Sequence, residues 1–177
     1  MTLTIFKHWN LLDNKLISTL DGKKVRTRRD HFMARHSSKY FGQKRGILLY
    51  SMIANNACPN AMIMSPNDYE GHSFFDVASN NTTDIHPDFL SGDTHSINQV
   101  NFALVELMGS SFIPHIKNIP DQAKKIGCFE NPELYHDKDY LIVPQSQYDI
   151  RLIEDEWENI MHIYASLLLK KTTQRVI

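Results

Sequence analysis

The stretch Leu90-Ser-Gly-Asp-Thr-His-Ser-Ile-Asn-Gln-Val-Asn-Phe102 puts an acid, Asp93, between a glycine and a helix start, with a histidine two residues on. Ser96 and Gln99 have the spacing of a capping box, in which the serine hydroxyl accepts from a first-turn amide while the glutamine reaches back. Ile97, Val100, Leu104, Leu107 and Met108 then recur at helical spacing, and Gly109 supplies a stop, so a helix over 97–108 is predicted. Residues 88–92 (DFLSG) read as a strand end and residues 111–116 (SFIPHI) as another strand. Strand, acidic loop, helix and strand form a βαβ unit, and ligands of such units gather at the carboxyl ends of the strands. Asp93 sits there. A lone aspartate in such a loop mostly caps a helix or makes a turn, so a metal-holding role requires a second acid.

The second acid comes from the N-terminal part. Residues 14–20 (NKLISTL) read as a strand that closes in Asp21-Gly22, a hairpin signal. Residues 46–54 (GILLYSMIA) and 61–64 (AMIM) read as two more strands around a loop containing Cys58-Pro59. The first of these is too apolar to be exposed on both faces and is placed in mid-sheet. Residues 69–78 are a weaker helix, with Phe74, Phe75 and Val77 for its buried side. Residues 127–139 are polar and turn-rich, as in an exposed excursion. The last segment, 150–169, reads as one amphipathic helix capped by Asp149, with Ile150, Ile153, Trp157, Ile160, Met161, Tyr164 and Leu168 in a stripe. Glu154, Glu156 and Glu158 fall on its solvated face.

In order, these elements describe a ribonuclease-H-like α/β fold, a mixed sheet with flanking helices. Its first and fourth strands are neighbours, which would set Asp21 beside Asp93 with carboxylate oxygens within about 6 Å of each other, close enough to share a metal. Adjacent carboxylates repel unless a cation lies between them, and Mg²⁺, a hard ion that prefers oxygen, fits that position. Phosphoryl transfer on DNA is the chemistry such a site would serve.

Composition sets the surroundings. With 177 residues, 42% of them apolar, the chain suits a single domain over 1–177. A net charge of −1 excludes a generally basic nucleic-acid coat, so any DNA-binding surface must be local. Two basic clusters qualify: Lys23, Lys24, Arg26, Arg28 and Arg29 directly after Asp21, and Lys44 with Arg45 further on. Alternation of Lys24, Arg26 and Arg28 would place these three on one face of a hairpin strand, suited to a phosphate backbone; an ordinary solvated hairpin is the other reading. Cys58 and Cys128 have no metal-ligand spacing and indicate a reducing compartment. The histidines lack the spacing of a zinc hydrolase. No stretch has the ~18 continuous apolar residues of a membrane span, and the first 15 residues are too polar for a signal peptide. A cytoplasmic protein without membrane partners is expected.

Three segments, KYFGQKRG (39–46), SGDTHSINQVNFALVELMGSSFIPHIKNI (91–119) and IEDEWENIMHIYASLLLKKTTQRVI (153–177), resemble the catalytic region of the Tn-three family of replicative transposases, in the same order and near-continuously from Ser18 onward. The resemblance implies a DDE transposase that uses Mg²⁺ or Mn²⁺ to nick transposon ends at their terminal inverted repeats and join the freed 3′-hydroxyls to target DNA. A homodimer is implied for the full-length enzyme. Asp21, in LDGKK, matches the first catalytic aspartate of the family and Asp93, in GDTH, the second. His95 belongs to the same motif, while His115 stands where family members tend to have arginine. The family's third acid, a glutamate, would lie beyond Ile177, and its end-binding region upstream of Met1. The chain is therefore expected to be a truncated catalytic domain, incomplete at the C-terminus and inactive alone. A non-catalytic DNA-binding or regulatory remnant and a ribonuclease-H-like nuclease using local acids are the alternatives.

Overall fold

Strand β1 (Ile17–Arg26) runs through the middle of a mixed sheet. Strand β3 (Arg45–Ala54) pairs antiparallel along one edge of it, from Ser18 opposite Ala54 to Arg26 opposite Gly46. Strand β4 (Ala57–Met64) and the short β2 (Arg35–His36) both pair antiparallel with β3. On the other edge of β1, β5 (Phe89–Gly92) pairs parallel, and β6 (Ser111–Phe112) pairs parallel with β5. Three antiparallel strands followed by two parallel ones give the ribonuclease-H-like sheet expected from the sequence. The computed structural model describes residues 15–29, 31–123, 126–136, 139–140 and 143–177. The N-terminal segment through Asn14, including the stretch tested for a signal peptide, lies outside them.

Several boundaries differ from the sequence reading. β1 does not close at Asp21 but continues to Arg26, because β3 offers ten residues of backbone donors and acceptors that need partners along their whole length. The tight turn lies instead at Asn55-Asn56, both with positive φ (45° and 64°), the conformation that asparagine tolerates in two-residue hairpins. Cys58 and Pro59 consequently belong to β4 rather than to a loop; β4 pairs only with β3, and an edge strand accepts a residue without an N–H. β6 is only two residues long. Past it, Ile113 N–H and His115 N–H still donate to Leu90 and Gly92 carbonyls at 2.8 and 2.7 Å, so parallel pairing extends around Pro114.

The core lies on one face of the sheet. Leu20, Leu48, Tyr50, Met52, Met64 and Leu90 pack against Phe74 and Val77 of α2 (Phe74–Ser79), Val105 of α3 (Gln99–Leu107) and Phe112. Removing a side chain such as Leu90, which is fully buried, would cost about 2–5 kcal/mol. On the opposite face Val25, Ile53 and Ile63 remain 40%, 46% and 41% exposed.

α3 starts later than its capping-box motif suggests. Asn98 is the cap, its side chain accepting from Asn101 N–H at 2.8 Å, while Ser96 Oγ donates backwards to the Asp93 carbonyl at 2.6 Å. The inward face also shifts: Asn101, Leu104 and Val105 are buried and Val100 is 49% exposed. Asn101 tolerates that burial because Gln174 enters the same space. Gln174 Nε2 donates to Asn101 Oδ1 at 2.5 Å, and its Oε1 accepts from Phe75 N–H at 2.9 Å. Its own N–H donates to both Asp76 carboxylate oxygens at 3.1 Å.

Residues through His115 together with Lys170–Ile177 form one compact unit; Ile116–Leu169 form a second. In the second unit β7 (Gly127–Cys128) pairs parallel with β8 (Ser146–Gln147). The helix read as continuous over 150–169 is two, Ile150–Asp155 and Trp157–Leu168, broken at Glu156 where ψ is 9°. Asp149 caps the first as expected, accepting from Arg151 N–H at 3.0 Å. The apolar stripe is only partly covered, with Ile150, Trp157 and Leu168 about half exposed and Leu167 buried instead. Among the described residues, no helix is long and apolar enough to cross a membrane.

Candidate active site

Leu20 and Gly92 are registered partners in the parallel pair β1–β5. The next residue of each chain is an aspartate: Asp21 lies on β1, on the face away from buried Leu20, and Asp93 directly follows the end of β5. Neighbouring strands lie about 4.8 Å apart, a spacing at which two carboxylates can share one ion. Asp21 is exposed, opposite Ser51, and accepts from its neighbour Gly22 N–H at 2.9 Å. Asp93 caps the short turn Thr94–Ser96, its Oδ1 accepting from His95 N–H at 3.0 Å. It is thus a cap and at the same time the residue that follows Gly92, the registered partner of Leu20.

The turn that presents Asp93 is braced on both sides. A Cβ at Gly92 would collide with the Ser96 hydroxyl and the Phe74 ring, so only glycine lets the turn close onto the core there. Thr94 Oγ1 donates to the His115 carbonyl at 3.0 Å, which ties the loop to the neighbouring chain. His115 contributes its main chain here, and its exposed side chain offers no bidentate phosphate fork of the kind an arginine would.

One residue was missed from the sequence. Glu70 lies over Gly22, where an added Cβ would strike its carboxylate, and it pairs with Lys24 Nζ at 3.1 Å. The signal was the Gly after Asp21, taken for a hairpin glycine when it is a seat for another side chain. Burial first, then the charges of Glu70, Asp93 and Asp21, push the hydroxyl pKa of buried Tyr50 far up. Burial works against the charge of Lys24, but the hydrogen bond and charge of Glu70, with Tyr40, hold its pKa above the usual value.

The basic residues separate into three groups. Arg26, Arg28, Arg29, Lys44 and Arg45 line one groove of about 480 Å³, where Thr27 N–H donates to the Arg45 carbonyl at 3.1 Å. Lys24 shares the core side of β1 with Glu70, and Lys23 the opposite side with Asp21. The expected alternation of Lys24, Arg26 and Arg28 fails because β1 ends at Arg26, leaving Arg28 in a bend. Glu154, Glu156 and Glu158 are exposed in the second unit.

Asp21 and Asp93 offer hard oxygen donors that fit a divalent cation completed by water. Among the described residues no group of three or more His, Cys, Asp or Glu side chains is placed to hold a metal.

Residues 1–177 match the family model of the Tn3 transposase DDE domain. The chain belongs to that family. The transposase for transposon Tn4556 of Streptomyces fradiae is 23% identical over 160 residues, 86% of this chain and 17% of that protein. The chain thus spans 17% of the length of that curated relative. The solved structure of the Mos1 strand transfer complex is similar at 13% identity and a TM-score of 0.40, over 88% of this chain and 52% of the other. DDE transposase domains generally depend on divalent metal, and transposases act on DNA.

Proposed function

We propose that this Tn3 transposase DDE domain supplies the first two acids, Asp21 and Asp93, of a metal-dependent site that cleaves transposon ends and transfers the freed strand to target DNA in the full-length enzyme. The observation that supports the reading is the Leu20–Gly92 register: the residue after each partner is an aspartate, at the carboxyl end of the parallel pair. Asp21 and Asp93 would hold Mg²⁺ or Mn²⁺. The bound ion would neutralise charge on the phosphate and favour deprotonation of the attacking water or 3′-hydroxyl.

The chain's own residues do the rest. Asp93 is held by its bond to His95 N–H, so its second oxygen faces a defined direction. The groove of Arg26, Arg28, Arg29, Lys44 and Arg45 tracks the phosphate backbone of the terminal inverted repeat or the target, and so sets the register of the scissile bond. Two subunits would serve the two transposon ends.

A second reading is binding without cutting by this chain alone. It is favoured because, among the described residues, no third acidic group is placed to share a metal with the two aspartates. Two carboxylates hold one ion, whereas in-line displacement uses charge at both the attacking and the leaving oxygen.

Mn²⁺ titration of the 177-residue chain followed by electron paramagnetic resonance tests the metal assignment. The wild type should bind Mn²⁺, and Asp21→Asn and Asp93→Asn should each weaken binding at least tenfold. Equal affinity in all three proteins would remove these aspartates from the site.

A further inference from the structure

A cavity of about 510 Å³ opens on the core side of β1, between α1 (Ser38–Phe41) and the loop 66–70, and none of the groove residues takes part in it. Its chemistry differs from that of the groove. Tyr40, Tyr69, Lys24, Lys39, His36 and His95 all line it. The ammonium groups of Lys24 and Lys39 lie 4.2 and 5.0 Å from the centroid of the Tyr40 ring, a cation–π arrangement that gathers two positive charges at one point of the wall. The cavity's carboxylates are already engaged, Glu70 with Lys24 and Asp68 with Arg175, both at 3.1 Å. Among the described residues that line the cavity, Lys39 is a lysine with no carboxylate partner.

Across the cavity, Tyr69 is 44% exposed, yet its ring is fixed. Its hydroxyl donates to the His95 carbonyl, and its ring meets the His72 ring edge-on at 4.8 Å. That bond to His95 joins the cavity directly to the turn that Asp93 caps. An aromatic platform held rigid, opposite clustered lysines, is the pairing that binds single-stranded nucleic acid, with the base on the ring and the phosphate on the cations. The volume falls in the range of small-ligand pockets and is too confined for a duplex.

We infer that this cavity takes one nucleotide unstacked from the DNA strand at the reacting end, its base against Tyr69 and its phosphate at Lys39 and Lys24. The inference deepens the proposed function and rests on it. A nucleotide held there would anchor the strand beside the turn that Asp93 caps, while the groove holds the duplex. Glu70 sets the selectivity of this pocket: it occupies Lys24 until a phosphate competes for it, which favours a full phosphodiester over a neutral ligand.

The test compares two DNA probes on the 177-residue chain by fluorescence anisotropy, a blunt duplex and the same duplex with a two-nucleotide single-stranded 3′ overhang carrying 2-aminopurine. The overhang should bind several-fold tighter, and stacking should quench the 2-aminopurine. Tyr69→Ala and Lys39→Ala should each remove most of that preference, and Tyr69→Phe, which keeps the ring and loses only the bond to His95, should retain most of it. Thermal midpoints of the variants identify any loss caused by unfolding, and Lys39→Ala, on the surface, carries the test if Tyr69→Ala unfolds. Equal, salt-sensitive binding of both probes without quenching would overturn the pocket assignment and leave the groove intact. Binding of neither probe by a folded chain would overturn both.

Discussion

Asp93 Oδ1 accepts the His95 amide at 3.0 Å, so one oxygen of the second acid is committed to holding its own loop. Stability and metal affinity are therefore separable at this residue. Asp93→Asn keeps an acceptor for the cap and should leave stability nearly unchanged, whereas Asp93→Ala should cost about 1 kcal/mol. Both should weaken Mn²⁺ binding. Thermal denaturation beside the metal titration checks this; an alanine variant as stable as wild type would show that the cap contributes nothing.

The groove should bind DNA through phosphates. Replacing Arg26, Arg28 and Arg29 by alanine is expected to weaken duplex binding at low salt. It should also flatten the dependence of log K on log salt by roughly 0.9 for each phosphate that is no longer neutralised. Anisotropy at several salt concentrations measures the slope. An unchanged slope would place the DNA-binding surface elsewhere.

Asp76 is buried at 8% exposure, and burial raises its pKa above 3.8 against the opposing bond from Gln174 N–H and the charge of Arg175. A carboxyl whose folded pKa exceeds its unfolded value binds its proton more tightly in the folded state. Its contribution to stability is therefore best in acid and declines as pH rises from 3.8 through the folded pKa. Asp76→Asn should remove that decline. Denaturant unfolding of both proteins between pH 3.5 and roughly pH 7 would show parallel curves if Asp76 did not contribute.

Gln174→Ala should destabilise the first unit by about 1–3 kcal/mol, since it strands Phe75 N–H and Asn101 Oδ1 in the interior. Gln174→Glu should be nearly as harmful, because Glu cannot donate to Asn101 Oδ1 and brings a charge beside Asp76. A urea midpoint unchanged by either substitution would show that the network is dispensable.

The fold was legible where hydrophobic runs had one possible partner. Residues 46–54 were read as one apolar mid-sheet strand, one residue short of β3, and the β5–α3–β6 unit with its Gly109 stop came from periodicity with turn signals; that β1 and β5 are neighbours followed from the order of the elements. Features set by tertiary contact were not legible. Asp21-Gly22 has hairpin chemistry, but the length of β3 overrides it, and Asn55-Asn56, which makes the turn, lacks the glycine that usually marks one. Val100 fits a helical stripe as well as Asn101 does; the Gly71 and Ser96 carbonyls, together with Gln174 some seventy positions on, make the amide the better inward residue. Glu70 carries no local signal, because its role depends on the missing side chain of Gly22 across the sheet.

The tie between Phe75 and Gln174 spans a sequence separation of 99, and the whole of the second unit is threaded between its ends. During synthesis at about 5–20 residues per second, Phe75 N–H and Asn101 Oδ1 must therefore wait several seconds after they emerge before Gln174 reaches them. Over that interval Asp76 and Asn101 face an open seam, and a chaperone or protease meets a nascent domain whose last stitch is made by Gln174. Closure of this unit thus follows synthesis of the second unit and is timed by translation rather than by the sheet.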